Sequence, residues 1–528
     1  MKYILYSFLI LSFGAVSCNK FLDKTPTDFP LPKNYFKTEN DVNTALNGIY
    51  DPLGKTGTYG RTLFFELDMS DEGFNALSTT TIDLSINNYN TSDTKVNTLW
   101  NLLYQGVNRA NVFLENIDNK DLQMDEDKRK AAKGQALFLR AYYYFMLVSN
   151  WGDVPVRLQS INDVNDVNRA RMPSSEIYAF IVKDMEAAAE LVNPITAYTY
   201  NSRITKSVVW GILARVNLKM AGYPLNDATR WAEARKWALK AMEPGNGHAL
   251  NPDYQQVFIN QCQDKYDTKE VLWEVEFNKV NNGSQDEEGS VGAINGIGSS
   301  DRNMYSYGAV HITERYYRAF AAGDLRRDWT SNSYYYGTVN GVVNSKIPYP
   351  ATSIYNRCNA KWRREYETAL PKNINTSSIN FPILRFSDVL LMFAEAENEV
   401  NGGPSADAYE AVNKVRRRAY GLLLPTPPNP AIDADLPAGL DQLSFRDAIR
   451  KERSLELGFE AIRRHDLIRW GIYISTMKDL SNEITTTAPA AYKYAARHGD
   501  NLGQRHLLLP IPSSEMAINK SLVQNPEW

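Results

Sequence analysis

Apolar residues recur at intervals of three and four along much of the chain, the spacing that places them on one face of an α-helix. In the stretch that begins at Thr94, this apolar face contains Leu99, Leu103, Val107 and Ala110. The same spacing predicts further helices over residues 40–50, 125–150, 174–191, 205–220, 227–242, 386–400, 406–420 and 444–460. The pattern therefore predicts a mainly α-helical fold.

The order of these helices resembles the pairing of tetratricopeptide repeats (TPR), in which each helical hairpin buries its face against the next. The repeat length is only loosely kept here, so we predict a TPR-like scaffold of helix pairs. Residues 270–277 favour a short strand, and two long irregular stretches, 54–90 and 278–375, are rich in Gly, Asn and Ser. Long loops held on a rigid frame are the usual place for recognition.

The N-terminus has the pattern of an export signal. Residues 1–13 are almost wholly apolar after Lys2, and small residues lead to Cys18. The apolar run is too short to span a bilayer, which needs about 20 residues, and it fits a signal peptide over residues 1–17. A cysteine at this place is the acceptor for lipid attachment, so we expect residues 18–27 to form a lipidated tether. The alternative is a secreted protein cleaved near Ser17, with Cys18 incidental.

Composition narrows the classes of function. The chain has 528 residues, 43% of them hydrophobic, and a net charge of −3, so it has no basic excess to attract nucleic acid. It has 31 tyrosines, and a tyrosine combines an apolar ring with a polar tip that suits binding surfaces. Apart from Cys18 it has two cysteines, Cys262 and Cys358, which could pair but are more often free and buried at such a separation.

No motif in the sequence predicts catalysis. The serine-hydrolase, zinc-protease and phosphate-loop patterns are absent, and the five histidines are scattered. Glu452 and Glu456 share a helix face and could be the paired carboxylates of a glycosidase, but basic neighbours favour salt bridges. Ion pairs are also the better reading of four charged residues further on, Arg463, Arg464, Asp466 and Arg469. Residues 286–288 could hold a calcium ion, although a solvated acidic loop explains them better.

Several blocks, in order, resemble the SusD/RagB family of Bacteroidetes nutrient-uptake outer-membrane lipoproteins. The residues that follow the lipid signal, 17–23, are a typical family opening. The second block resembles a family signature through Arg140, Tyr143, Leu147, Gly152 and Pro155. The remaining blocks are residues 382–396, 452–471 and the closing segment 509–526. Within 452–471, the sequence departs from the family only at Ala461, where a glycine is usual.

The resemblance implies an all-helical, TPR-like fold. It also implies an N-terminal domain over residues 28–245 and a C-terminal domain over 246–528, with the ligand region at 278–375. The implied partner is a SusC-like TonB-dependent outer-membrane transporter, which the lipoprotein caps as a lid. The implied ligand is an oligomeric nutrient, usually a glycan and in some members a peptide, bound without catalysis or a cofactor. A lipoprotein hydrolase and a TPR scaffold for other proteins stay open as alternatives.

Two loop regions contain the aromatic and polar side chains that sugar binding needs. The first region contributes Arg61, Asp71, Phe74 and Asn75; Phe74 is the only aromatic residue after the acidic turn, where the starch-binding relative has stacking aromatics, so starch is not assumed. The second region and its extension contribute Arg302, Asn303, Tyr305, Tyr307, Trp329 and Tyr334 to Tyr336. Loop packing is the alternative for each of them. By contrast, Trp100 lies on a helix face and is expected in the core.

Overall fold

The computed structural model describes residues 35–161, 166–278, 288–302 and 304–528. The predicted signal peptide, Cys18 and the tether lie outside the described residues. The long helices are α1 (Glu39–Gly54), α2 (Thr94–Asn116), α3 (Glu126–Trp151), α4 (Ser174–Leu191), α5 (Lys206–Ala221) and α6 (Arg230–Met242), followed by α11 (Phe386–Asn401), α12 (Ala406–Ala419), α13 (Gln442–Leu457) and α15 (Tyr473–Thr487). The short helices are α7 (Tyr254–Cys262), α8 (Val291–Ile294), α9 (Glu314–Ala319), α10 (Arg326–Thr330), α14 (Arg463–Arg469), α16 (Arg497–Asn501) and α17 (Ser513–Ile518).

The long helices stack in chain order. Each helix from α1 to α6 packs against the next, α11 then packs against α6, and α12 and α13 pack against α11. This succession is the predicted scaffold of TPR-like pairs, and it confirms a mainly α-helical fold. The predicted helix over 174–191 has the same bounds in the structure, and Trp100 is buried as expected.

Helix α3 is at the centre of the N-terminal stack. Asp125 caps its start, where the side chain accepts hydrogen bonds from the backbone N–H groups of Asp127 (3.0 Å) and Lys128 (3.1 Å). The helix ends at Gly152, whose φ of +71° favours glycine. At Gly106 of α2, an added Cβ would lie 2.4 Å from the Tyr143 ring of α3, so this glycine allows the two helices to approach closely.

The described residues contain three antiparallel pairs of short strands. These strands are β1 (Gly73–Asn75), β2 (Val271–Val275), β3 (Val310–Ile312), β4 (Tyr334–Val339), β5 (Val342–Pro348) and β6 (Phe381–Arg385). Strand β1 pairs with β3, β2 with β6, and β4 with β5. The strand predicted over residues 270–277 is confirmed as β2. The β1–β3 pair matters most for the site, because it joins two loop regions that are far apart in sequence.

The structure corrects the expectation that residues 54–90 are irregular throughout. Residues Leu63–Leu67 form one π-helical turn and are all buried. The acidic residues that follow are also buried: Asp71 pairs with Arg463, and Glu72 accepts hydrogen bonds from the Ser454 hydroxyl (2.8 Å) and the Phe459 N–H (3.1 Å). Residues 62–75 therefore run through the interior and are held by partners from the C-terminal half, Arg463 among them.

Buried ion pairs join the elements of the C-terminal half. Glu456 of α13 pairs with Arg385 (2.8 Å), Arg418 (2.6 Å) and Arg326 (3.2 Å). Burial alone would raise the pKa of Glu456, but these guanidinium groups, Arg418 first, hold it far below its ordinary value. The salt-bridge reading of Glu456 is confirmed, although its partners come from distant elements and not from its neighbours in sequence.

The ion pairs predicted around α14 are also present. Arg469 pairs with Glu395 at 2.6 Å, and Asp466 pairs with Arg453 at 2.7 Å. Arg464 differs from the expectation, because its guanidinium donates to the carbonyl of His506 at 2.9 Å.

Across the part of the chain that the structure describes, no helix combines the length and the apolar character needed to cross a bilayer.

Candidate ligand-binding surface

Pairing of β1 with β3 brings the two predicted loop regions together. Phe74 lies opposite His311 in the register, and the N–H of Ala76 donates to the carbonyl of Ala309 at 2.9 Å. Thr313, just after β3, fixes this pairing: its hydroxyl donates to the Asp71 carbonyl at 2.7 Å. Residues separated by more than 200 positions in sequence therefore form one local structure.

Phe74 forms the buried base of this structure. Its side chain is 3% exposed, and its ring lies 5.7 Å from His311, 6.0 Å from Tyr355 and 5.9 Å from Tyr494, measured between centroids. A ligand outside the protein does not reach the Phe74 ring in this conformation. Phe74 instead supports tyrosines that come from other segments.

Five tyrosines make up what we call the tyrosine surface: Tyr335, Tyr349, Tyr355, Tyr492 and Tyr494. The Tyr335 and Tyr349 rings lie 5.0 Å apart across the β4–β5 hairpin. The Tyr355 and Tyr492 rings are stacked at 5.6 Å with an interplanar angle of 20°, and Tyr492 lies 6.3 Å from Tyr494. Tyr335 is exposed, Tyr349, Tyr492 and Tyr494 are half-buried, and Tyr355 is buried between Tyr492 and Phe74.

Tyr305 and Tyr307 form a second aromatic group, on the loop that precedes β3. Their rings meet edge to face at 5.1 Å, and Tyr307 is 51% exposed. The Tyr307 hydroxyl donates to the side-chain oxygen of Asn375 at 2.8 Å. The loop is also anchored from within, because the Arg364 guanidinium donates to the Tyr305 carbonyl at 2.7 Å. An exposed ring held on both sides in this way is suited to contact with a ligand.

Polar groups lie among the rings. The Arg357 guanidinium lies 5.3 Å from the centre of the Tyr349 ring and donates to the Asn332 carbonyl at 2.8 Å. The Tyr355 hydroxyl is buried and has no hydrogen-bond partner among the described residues. Burial, followed by the nearby carboxylates of Glu314 and Glu483, raises the pKa of Tyr355 to about 12. The Tyr355 hydroxyl therefore stays protonated at neutral pH.

A cysteine and a histidine lie beneath the tyrosine surface. Burial alone would lower the pKa of His311 and raise that of Cys358, but the two groups stabilise each other's charge, so the pKa of His311 rises and that of Cys358 falls. An added Cβ at Gly308, whose φ is +54°, would lie 2.9 Å from the Cys358 sulfur. This close contact joins the 305–308 loop to the 355–358 segment. Cys262 and Cys358 are both free and buried, as expected.

The remaining residues proposed from the sequence lie apart from the exposed rings. Asp71 and Asn75 are buried, the first against Arg463 (2.8 Å) and the second against Ser85 (2.9 Å). Arg61 is half-buried and pairs with Glu66 at 2.9 Å. Trp329 is buried, and the Arg363 guanidinium lies 3.9 Å from its ring centre. Burial removes Asp71, Asn75 and Trp329 from direct contact with an external ligand.

Arg302 and Asn303 are the remaining candidates of the second loop region. Arg302 is exposed and lies three positions before Tyr305 in the chain, whereas Asn303 lies outside the described residues. In the acidic stretch considered for calcium, residues 286 and 287 lie outside the described residues, and Glu288 is buried and accepts a hydrogen bond from the Thr376 hydroxyl. Within the described ranges, no group of three or more His, Cys, Asp or Glu residues is placed to hold a metal ion.

Sequence reasoning missed four members of the tyrosine surface: Tyr349, Tyr355, Tyr492 and Tyr494. A signal for two of them is visible in hindsight, because Tyr492 and Tyr494 alternate with Lys493 between pairs of alanines near the end of the chain. Alternating large rings in a stretch of small residues have no apolar periodicity of their own to bury them. The packing partner of Tyr355, in contrast, is 137 positions away in sequence and leaves no local signal.

Comparison with known proteins gives a consistent result. Residues 327–528 match the SusD family, and residues 20–218 match the family described as "starch-binding associating with outer membrane". SusD-like protein P25 from Formosa agariphila is 26% identical, and the match covers 99% of this chain and 97% of that protein.

Solved structures match over nearly the whole chain as well. A SusD homologue from Bacteroides thetaiotaomicron is 30% identical, with a TM-score of 0.84 over 96% of this chain and 99% of that one. Surface glycan-binding protein A from the same organism, solved in complex with laminarihexaose, is 21% identical, with a TM-score of 0.68 over 92% of this chain and 99% of that one. The first match establishes kinship, and the second establishes a shared fold.

Proposed function

This chain belongs to the SusD family, and from that premise we propose that it is an outer-membrane lipoprotein that binds an oligosaccharide at the tyrosine surface. The bound oligosaccharide then passes to a partner SusC-like TonB-dependent transporter. The observation that carries the proposal is the set of accessible rings, which belong to the tyrosine surface and to the exposed Tyr305–Tyr307 pair. The glycan-bound relative and the description of the matching family support the same class of ligand and the same membrane.

The chemistry of the surface suits a sugar. A sugar ring has an apolar C–H face that stacks on an aromatic ring, and hydroxyl groups around its edge that need donors and acceptors. Tyr492 and Tyr307 offer accessible rings, Asn375 lies beside Tyr307, and Arg302 is exposed on the same loop as Tyr307 and can meet hydroxyl groups. Because buried partners hold the rings in place, a ligand would order few side chains on binding, and the entropic cost would be low.

The binding experiment uses the full-length lipoprotein purified in detergent and a panel of oligosaccharides, with affinity measured by calorimetry. We expect Tyr307→Ala and Tyr492→Ala each to weaken binding roughly two- to tenfold, because an aromatic contact contributes about 0.5–1.5 kcal/mol. Tyr266→Ala is the matched control, since Tyr266 is similarly exposed (39%) and lies outside this surface. Unchanged affinity in both site variants would remove the tyrosine surface and the Tyr305–Tyr307 pair as the binding site.

The same panel separates the other classes of function. Binding of peptides in the absence of any oligosaccharide hit would identify a peptide-binding lid of the same type. Release of shorter products from an incubated oligosaccharide would identify a hydrolase, whereas we propose binding without catalysis. Binding of neither class of ligand would leave a scaffold for other proteins.

The anchor is tested separately. We propose that Cys18 carries the lipid and that the protein is held at the outer membrane, facing the cell exterior. Cys18→Ala should abolish incorporation of labelled palmitate and release the protein from the membrane fraction. Protease treatment of intact cells should degrade the lipidated protein if it faces outward. A Cys18→Ala variant that still incorporates palmitate, or that stays in the membrane fraction, would disprove the assignment.

A further inference from the structure

Two adjoining cavities meet at Lys219, in the last turn of α5. An enclosed cavity of about 80 Å³ lies between α3, α5 and α14. An open pocket of about 500 Å³ lies on the other side, between α3, the end of α5 and the C-terminal segment. Lys219 and Ser149 line both spaces. The Lys219 amine can therefore be approached from the surface through the open pocket.

Lys219 is buried without a partner for its charge. Its side chain is 6% exposed, and among the described residues it forms no ion pair and no hydrogen bond. The buried Lys361 shows the usual solution: its amine donates to the Glu460 carboxylate at 2.7 Å and to the Glu456 carbonyl at 3.0 Å. A buried amine is costly unless a counter-charge is present. The Lys219 amine therefore has no carboxylate within ion-pair distance among the described residues.

The carboxylates near the enclosed cavity are already used. Asp466 pairs with Arg453 at 2.7 Å and with Arg469 at 2.8 Å. Asp68 accepts a hydrogen bond from the Arg464 N–H at 3.0 Å, and burial raises its pKa well above the ordinary value, so it supplies little negative charge. The surroundings of Lys219 are therefore positive on balance.

The pKa of Lys219 agrees with this balance. Burial, followed by the guanidinium groups of Arg464 and Arg469, lowers the pKa of Lys219 to about 7. An anion placed beside the amine would relieve both effects, because it would pair with the ammonium group and offset the two guanidinium charges.

The open pocket has two further cationic side chains in its wall. Arg171 and Arg505 line it, and neither forms an ion pair within the described part of the chain. The Arg171 guanidinium donates to the carbonyls of Asp153 (2.8 Å) and Val523 (3.0 Å) and to the Asn525 side-chain oxygen (2.6 Å), so it is held in place by neutral acceptors and keeps its positive charge in the wall. The Arg505 guanidinium lies 4.6 Å from the centre of the Trp528 ring. The two carboxylates in the wall of the pocket, Asp153 and Glu527, accept from backbone N–H groups at 2.7 and 3.1 Å.

We propose that this pocket is an anion site in which the Lys219 amine, reached past Arg171 and Arg505, binds a small oxyanion. The oxyanion can be free sulfate or phosphate, or the carboxylate or sulfate of a sugar acid. A volume of about 500 Å³ accommodates a sugar-sized group, and Tyr223 and Leu225 supply an apolar wall. None of the residues that line the pocket belongs to the tyrosine surface, so the site stands independently of the proposed function.

The test measures the thermal stability and calorimetric binding of the full-length protein with five probes at constant ionic strength. The probes are sulfate, phosphate, glucuronate, glucose 6-sulfate and neutral glucose. We expect binding of at least one anion and none of glucose, and a preference for glucuronate or glucose 6-sulfate over the free ions would identify a sugar acid. Lys219→Met should weaken anion binding at least about tenfold, since a hydrogen bond to a charged group is lost. Lys520→Met, at an exposed lysine, is the matched control and should leave binding unchanged.

A second measurement decides the case in which Lys219→Met fails to fold. In the wild-type protein, the anion should protect Lys219 from acetylation, measured by peptide mass spectrometry, and leave Lys520 as reactive as before. Lack of binding to every anion, equal binding to glucose, or undiminished binding by folded Lys219→Met would overturn the proposal. So would acetylation of Lys219 at the same rate with and without the anion.

Discussion

Replacing Glu456 with glutamine tests whether the buried ion pairs hold the C-terminal half together. The Glu456 carboxylate accepts hydrogen bonds from Arg418 (2.6 Å), Arg385 (2.8 Å) and Arg326 (3.2 Å), and it is fully buried. Glutamine has nearly the same shape but no charge. The variant therefore keeps the packing and removes the counter-charge of three guanidinium groups.

The expected loss in the free energy of unfolding depends on which carboxylate partners each arginine keeps in Glu456→Gln. Arg385 keeps Glu460 at 2.8 Å, and Arg326 keeps Asp324 at 2.7 Å. Arg418 keeps only a longer contact, 3.5 Å to Glu270. Removing one partner of a buried pair costs about 3–5 kcal/mol. Because two of the three arginines retain a close carboxylate, we expect a loss near the lower figure.

The assay is urea denaturation followed by circular dichroism. Asp447→Asn is the matched control, because Asp447 also pairs with an arginine on α13, Arg450 at 3.5 Å, but is 75% exposed. We expect the control to change the free energy of unfolding by less than about 0.5 kcal/mol, as exposed pairs do. If Glu456→Gln also stays within about 1 kcal/mol of the wild type, the buried pairs do not carry the stability assigned to them.

Two further predictions concern packing and pH. Gly106→Ala should destabilise the protein by about 1–3 kcal/mol, because the new Cβ would lie 2.4 Å from the Tyr143 ring, and this clash outweighs the higher helix propensity of alanine. Gly245→Ala is the control, since an added Cβ there meets open space. Equal melting temperatures for the two variants would contradict the reasoning. Burial raises the pKa of Glu274 to about 8 from 4.5, so the folded protein keeps a proton that the unfolded chain loses, and stability should fall as the pH rises from about 4.5 to 8. Glu274→Gln should flatten that pH dependence and add up to about 3 kcal/mol at pH 7 in urea titrations, and an unchanged pH profile would show that Glu274 is not the group responsible.

The sequence was sufficient to predict the helical frame because helix periodicity is a local signal. The Ser174–Leu191 helix has its predicted bounds, and Trp100 is in the core. Burial of polar loops is a different matter. Asp71 lies in a stretch with no apolar period, and the partner that buries it, Arg463, is 392 positions away. Only the tertiary structure brings the two together.

In the candidate site, too, local features could be predicted from the sequence, whereas burial by remote residues could not. The sequence predicts ligand aromatics at Phe74 and in residues 301–307, and β1–β3 pairing joins Phe74 to the strand that follows the second region. How deep each ring lies could not be predicted, because the cover over Phe74 comes from Tyr355 and Tyr494 in remote segments. An aromatic residue in a polar loop has the same sequence signature whether it faces solvent or supports another ring.

The ion-pair frame and the tyrosine surface are connected through two adjacent acidic residues. The Asp71 side chain pairs with Arg463 of α14, while its carbonyl accepts the Thr313 hydroxyl next to β3. The Glu72 carbonyl accepts the Thr313 N–H at 3.0 Å. Fixing both residues fixes β1, and β1 places Phe74 under Tyr355 and Tyr494. Hydrogen bonds and ion pairs are directional, so they restrain residues 71–75 more tightly than apolar packing alone would. The buried charges of Asp71 and Glu72 therefore help to determine how rigidly the tyrosine rings are held.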